Sequence, residues 1–140
     1  MSKRAYLNHL RSNRLFAGLT QKELQTVAAA GTEVTVPAGT VVMEQGSAGR
    51  SAIVLLEGTM VVRRNGRKVH SMSPGDIAGE MSLLDPAPRS ATIVAEGDCL
   101  VLEIGGADFR LVLDEIPQVT HKLLTTMAAR VRDLDTAVLG

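Results

Sequence analysis

Aromatic residues are nearly absent from this chain: no tryptophan, one tyrosine and two phenylalanines (Tyr6, Phe16 and Phe109) in 140 residues. The core must therefore be aliphatic, and folds that stack bases on aromatic platforms are disfavoured. Cysteine is scarcer still. A lone Cys99 excludes an intrachain disulfide, and its place in an apolar run reads as a buried, inert thiol. There is no excess of one charge, with 15 Lys+Arg against 15 Asp+Glu. A general nucleic-acid binder would carry a basic excess, so only a local basic patch stays open. The longest purely apolar run covers residues 52–56, far short of the ~20 residues of a membrane span. The first residues, Met-Ser-Lys-Arg, have no apolar stretch behind them, which argues against a secretory leader. With 45% hydrophobic and 21% charged residues, the expectation is one cytoplasmic globular domain without a membrane partner.

The apolar pattern changes period along the chain. Residues 1–31 read as helical. Thr20 stands three residues before Glu23 as a capping-box pair, Leu24, Val27 and Ala28 form one apolar face, and Gly31 sits where a helix-ending glycine belongs. From Thr32 the sequence alternates, β-branched residues dominate, and turn signals recur seven to twelve residues apart, at Gly39, Gly46, Gly58, Asn65-Gly66 and Pro74-Gly75. That spacing suggests a barrel or sandwich of short strands rather than alternating β and α units. Strands are expected at 32–36, 40–43, 51–56, 90–94 and 99–104. Asn65-Gly66 suits a two-residue type I′ hairpin between strands 59–64 and 67–72. After Gly105-Gly106 the pattern is helical again. A short helix covers 108–113, and Pro117 can open a second one. Leu124, Met127, Val131, Leu134 and Val138 follow heptad spacing on it. Such a seam serves either the chain's own barrel or a second copy of the chain.

The stretch with chemical content is 76–93. Gly79 permits close backbone approach to a ligand. Residues 80–84 make one helical turn, whose first amides suit an anion. Pro88 feeds Arg89 into a β-branched strand beside the small residues Ser90 and Ala91. A guanidinium, a hydroxyl and backbone amides can thus converge on one anion, with Glu80 beside them. A carboxylate there would repel the anion unless it faced donors on the same ligand, such as ribose hydroxyls. Taken alone, a surface Glu–Arg ion pair would account for the two residues equally well.

Gly79-Glu80-Met81-Ser82-Leu83-Leu84, four residues, and then Arg89-Ser90-Ala91-Thr92-Ile93 resembles the phosphate-binding cassette of cyclic nucleotide-binding domains. Such domains occur in the catabolite activator protein family and in protein kinase regulatory subunits. The resemblance runs along nearly the whole chain. It takes in Leu15-Phe16-Ala17-Gly18-Leu19, Pro37-Ala38-Gly39-Thr40, Glu44-Gln45-Gly46, Leu56-Glu57-Gly58, Pro74-Gly75-Asp76 and Phe109. It implies that Arg89 pairs with the exocyclic oxygens of a cyclic phosphate, and that Glu80 accepts from the ribose 2′-hydroxyl. It implies too that the amides of Met81, Ser82 and Ser90, with the Ser90 hydroxyl, complete the phosphate cage. Gly79 and Ala91 would lie against the ligand. The base would meet the long C-terminal helix near Arg130, Leu134 and Asp135. Leu134 and Asp135 stand where the family has hydroxyl side chains against adenine, which puts the adenine contacts in question. Ser90 favours cAMP over cGMP, because cGMP-selective members often carry threonine there.

Together the residues and the resemblance give a mainly β fold with flanking helices. It is a barrel or jelly roll of about eight antiparallel strands, with N-terminal helices and a long C-terminal helix. Residues 1–31 would hold the first helices, 32–104 the barrel with its cassette at 79–93, and 106–140 the last helices. The expected function is a stand-alone, non-enzymatic sensor whose ligand is cAMP or cGMP. It would need no cofactor or metal, and would signal to an effector protein, as a homodimer or not, through its C-terminal helix. No helix-turn-helix or other DNA-binding segment is expected within the chain. Two alternatives are a pseudo-domain that no longer binds nucleotide and a cupin-like metal enzyme. Intact Glu80 and Arg89 speak against the first. The second needs clustered ligands, whereas His9, His70 and His121 are far apart and read as solvated or capping groups.

Overall fold

The computed structural model of the chain describes residues 3–84 and 87–139. Helices α1 (Lys3–Ser12) and α2 (Gln21–Ala29) lead into strands β1 (Thr32–Val36), β2 (Val41–Met43), β3 (Ser51–Glu57), β4 (Met60–Arg64), β5 (Arg67–Met72) and β6 (Ile77–Ala78). The one-turn helix α3 (Met81–Leu84) follows, then β7 (Thr92–Ala95), β8 (Cys99–Gly105), α4 (Gly106–Glu115) and α5 (Pro117–Leu139). Two four-stranded antiparallel sheets result, ordered β1-β8-β3-β6 and β2-β7-β4-β5. Among the described residues no helix is long and apolar enough to cross a membrane.

The apolar run at 52–56 becomes the middle of β3, and all five residues are buried. Period-2 alternation sends Ala52, Val54 and Leu56 toward the helices, where they pack with Phe16, Phe109 and Leu24. Ile53 and Leu55 face the other sheet, among Met43, Met60, Met72 and Ile93. β8 divides in the same way, with Leu102 and Ile104 on one side and Cys99 and Val101 on the other. The expected thiol is buried there, its Sγ against the carbonyl oxygens of Thr59 and Gly97. The molecule therefore has two aliphatic cores that share a wall. Each fully buried Leu, Ile or Phe contributes about 1.5–3 kcal/mol relative to its exposed state.

The local signals hold in detail at two places. Thr20 accepts from the Glu23 amide and the Glu23 side chain accepts from the Thr20 amide, so the capping box forms. Asn65 and Gly66 have φ of 54° and 78°, as a type I′ turn requires. Elsewhere the structure corrects the sequence reading. Gly31 does not adopt the left-handed conformation of a helix-ending glycine. It is glycine because a Cβ would come within 2.7 Å of the Leu102 side chain and 3.0 Å of the Glu103 carbonyl oxygen. β1 is an edge strand with only Val36 buried, so the expected alternation has no second face to fill. β7 starts at Thr92 rather than Ser90, because Arg89 bonds to the loop before β3 instead of extending the ladder. The seam on α5 is divided. Val119 and Leu123 are buried and Met127 packs against the first core, while Leu124 and Val131 are 59% and 57% exposed. The barrel holds α5 by the face of Val119, Leu123 and Met127, so among the described side chains Met127 is the one seam residue that the core takes. The side chains of Leu134 and Val138 lie outside the described residues.

Candidate functional site

A cavity of about 930 Å³ opens between the second sheet, residues 76–82 and 87–91, and the inner face of α5. Gly79, Glu80, Met81, Ser82, Arg89, Ser90 and Ala91 all line it. The fold thus brings all seven cassette residues expected from the sequence to one wall. The base-facing candidates Arg130, Leu134 and Asp135 have side chains outside the described residues. Among the described side chains, the α5 residues that line the cavity are Leu123, Thr126 and Met127.

Backbone bonds place Arg89. Its amide donates to the Ser47 carbonyl at 2.8 Å, and its own carbonyl accepts from the Gly46 amide at 2.8 Å. That reciprocal pair fastens 89 to the turn before β3. Gln45 is fastened alongside, since its amide donates to Thr92 Oγ1 at 3.0 Å and its side chain exchanges two bonds with Asn65. The Arg89 side chain then runs inward. Nη2 donates to the Ser51 carbonyl at 2.9 Å, whereas Nη1 is buried and makes no hydrogen bond among the described residues. Two glycines leave room for it. A Cβ on Gly79 would come within 2.7 Å of Nη1, and one on Gly49 would overlap the rest of the guanidinium. Gly79 also has φ of +85°, a conformation that a side chain would strain.

Glu80 and Arg89, each 8% exposed, are the only buried charged or polar residues among those described. Burial pulls the Arg89 pKa below the ordinary guanidinium value, because desolvation disfavours the charged form. A buried cation with an unmet donor is costly. An anionic oxygen at Nη1 would supply the missing acceptor. The Ser82 amide already donates to the Gly79 carbonyl at 3.2 Å, a turn bond that shapes α3. Ser90 is exposed at the cavity rim, and its carbonyl accepts from Arg64 Nε at 3.1 Å. Among the described residues no group of three His, Cys, Asp or Glu could hold a metal ion. Histidines 9, 70 and 121 sit on α1, β5 and α5, and His70 Nε2 lies 3.9 Å from Asp76 Oδ2.

Sequence reasoning missed Gly49, the Ser51 carbonyl and the apolar wall of Met43, Val62 and Met72. The signal for Gly49 was a second glycine three residues after Gly46 and two before the buried strand β3. The wall follows from strands β2, β4 and β5 turning one apolar face inward.

Known proteins share this arrangement. The chain is 30% identical over 129 residues to the Pycsar effector protein XpPycTIR of Xanthomonas perforans, covering 86% of this chain and 43% of that protein. The crystal structure of the Thermus thermophilus catabolite activator protein superposes with a TM-score of 0.82 at 30% identity, covering 90% of this chain and 62% of that one. The regulatory domain of Toxoplasma gondii PKA, solved with cAMP, superposes with a TM-score of 0.71 at 32% identity, covering 79% of this chain and 44% of that one. The chain thus spans less than two thirds of the length of these relatives. Residues 33–115, more than half of the chain, match the cyclic nucleotide-binding domain, a regulatory ligand-binding family rather than an enzymatic one. With the cassette and the two sheets in place around one cavity, the chain belongs to the cyclic nucleotide-binding domain family.

Proposed function

We propose that this chain is a sensor module that binds cAMP in the cavity above α3 and passes the event to an effector protein through α5. The carrying observation is Arg89, a buried cation whose Nη1 lacks an acceptor among the described residues, at the wall of an open cavity. The singly charged cyclic phosphate would meet that need, with charge-assisted bonds contributing about 1.5–3 kcal/mol each. Glu80, buried on the same wall, would accept from the ribose 2′-hydroxyl. Gly79 would let the sugar approach the backbone. Met81, Ser82, Ser90 and Ala91 would close around the phosphate, and the base would lie toward α5. Relatives that carry the domain beside other segments, and one solved with cAMP, support a regulatory reading. The exposed seam of Leu124 and Val131 supports self-association through α5.

Calorimetric titration of the chain with cAMP and cGMP, side by side, tests the proposal. Saturable binding with cAMP the tighter ligand is expected. Absence of heat and of thermal stabilisation at millimolar concentrations of both ligands would overturn it.

A further inference from the structure

We infer that Gly49 is a positioning residue for Arg89, acting as a backbone wall that fixes where the guanidinium presents its unmet N–H groups. The inference rests on the reading that Arg89 receives the ligand's anion. An ideal Cβ on Gly49 would stand 2.5 Å from Arg89 Cζ and closer still to Nε and Nη2. Real Cβ atoms do not tolerate such approaches, so the guanidinium occupies the space that any other residue at 49 would fill.

Gly49 differs from the other crowded glycines in what it would displace. At Gly58 an added Cβ meets the Asp98 carbonyl and the Cys99 backbone, and at Gly31 it meets a core leucine and a carbonyl. Those sites would deform the fold. At Gly79 the strained φ and the Ser51 carbonyl confound the effect. Gly49 is outside the left-handed region, and the three nearest atoms are all at the far end of one flexible side chain. A methyl group there therefore costs the scaffold little and the guanidinium its seat. Nη2 would be pushed off the Ser51 carbonyl, which holds it at 2.9 Å, and Nη1 would move with it. The reciprocal bonds of Arg89 to Ser47 and Gly46 anchor only its backbone, so they would not restore the side chain. A cation misplaced by an ångström loses directional bonds to an anion even though its charge stays in the cavity.

Gly49→Ala tests this with three readouts. The Arg89 Nε–Hε resonance, assigned by its loss in Arg89→Ala, is expected to shift in the unliganded Gly49→Ala protein. Affinity for cAMP should fall at least thirtyfold. The unliganded melting temperature should stay within a few degrees of wild type. If melting falls further, Gly49→Ala/Arg89→Ala decides the cause, because removing the guanidinium removes the overlap. Recovery of the melting temperature in that double variant supports the inference, and a persistent loss overturns it. An unmoved Nε–Hε resonance, or cAMP binding within threefold of wild type, also overturns it while leaving the proposed function standing. Failure of the wild-type chain to bind cAMP overturns the proposed function and, with it, the inference.

Discussion

Arg89 carries two opposite consequences for the unliganded and liganded protein. Without ligand it is a desolvated cation with an unmet donor, so it contributes little to holding the fold together. Removing a buried charge also removes its desolvation cost, which offsets the loss of the Nη2 bond to the Ser51 carbonyl. Arg89→Met is therefore expected to melt at or above the wild-type temperature, and a clear fall in thermal scanning would contradict this account. With ligand, the same side chain should decide affinity. Arg89→Ala should cost about 3–4 kcal/mol, or two to three decades in Kd, by leaving the phosphate without its counter-charge. Calorimetry showing cAMP bound within threefold of wild type would remove Arg89 from the site. Glu80 is tested from the ligand side. Deleting the 2′-hydroxyl removes one hydrogen bond to that carboxylate, so 2′-deoxy-cAMP should bind more weakly by about 1.5–3 kcal/mol. Equal affinity of the two ligands in one buffer rules the role out.

Among the elements, the β4–β5 hairpin shows both what a sequence makes legible and what it hides. The type I′ turn was readable because Asn-Gly is the pair that accepts two successive positive φ values. The register was not, since a bulge between Val62 and Arg63 shifts the pairing and sets Arg63 opposite Lys68 and Arg64 opposite Arg67. Among the described residues Arg63, Arg67 and Lys68 make no ion pair. Like charges directly opposite are destabilising by a few tenths to ~1 kcal/mol. Arg67→Glu should thus raise the urea midpoint of the unliganded protein by about 0.2–1 kcal/mol equivalent, and a lowered midpoint would refute the pairing argument. The cassette was legible for a similar reason to the turn: Gly79, Glu80, Arg89 and Ser90 keep the spacing of a known motif. β6 was not, because two residues cannot display a period. Gly49 had only a weak signal, a second glycine shortly after Gly46, because it contributes no functional group. Its role exists only where the chain folds back on Arg89.

At the scale of the whole molecule, two aliphatic cores hold the sheets and helices, and among the described side chains α5 joins the first of them through Val119, Leu123 and Met127. Heptad spacing revealed which α5 residues share a face, but not which face the barrel would take. Val119 and Leu123 are buried, Met127 packs behind them, and Lys122 Nζ donates to the Ala17 carbonyl of the segment between α1 and α2. Val131, one turn beyond Met127, is 57% exposed, as is Leu124 at 59% on the same seam. The helix runs on to Leu139. Isolated helical segments of under ~12–15 residues are marginal in water, so under the proposed function its distal part would gain stability by docking on something. Under that proposal, a bound base and a second copy of the chain are two surfaces on which it would dock. They would then compete for neighbouring faces, which would make the distal helix a two-state element that ligand can bias by its differential contacts. Backbone amides from residue 130 onward should therefore gain hydrogen-exchange protection when cAMP saturates the cavity, while those of Val119 and Leu123 stay protected throughout. Unchanged protection beyond residue 130 at saturating cAMP would sink the switch. Val131→Asp separates the two surfaces, because an exposed valine can be charged without disturbing the barrel. It should weaken self-association in sedimentation experiments and leave the melting temperature nearly unchanged. A wild-type chain that sediments as a monomer at high concentration, with and without cAMP, would leave the base as the only surface on which the distal helix docks.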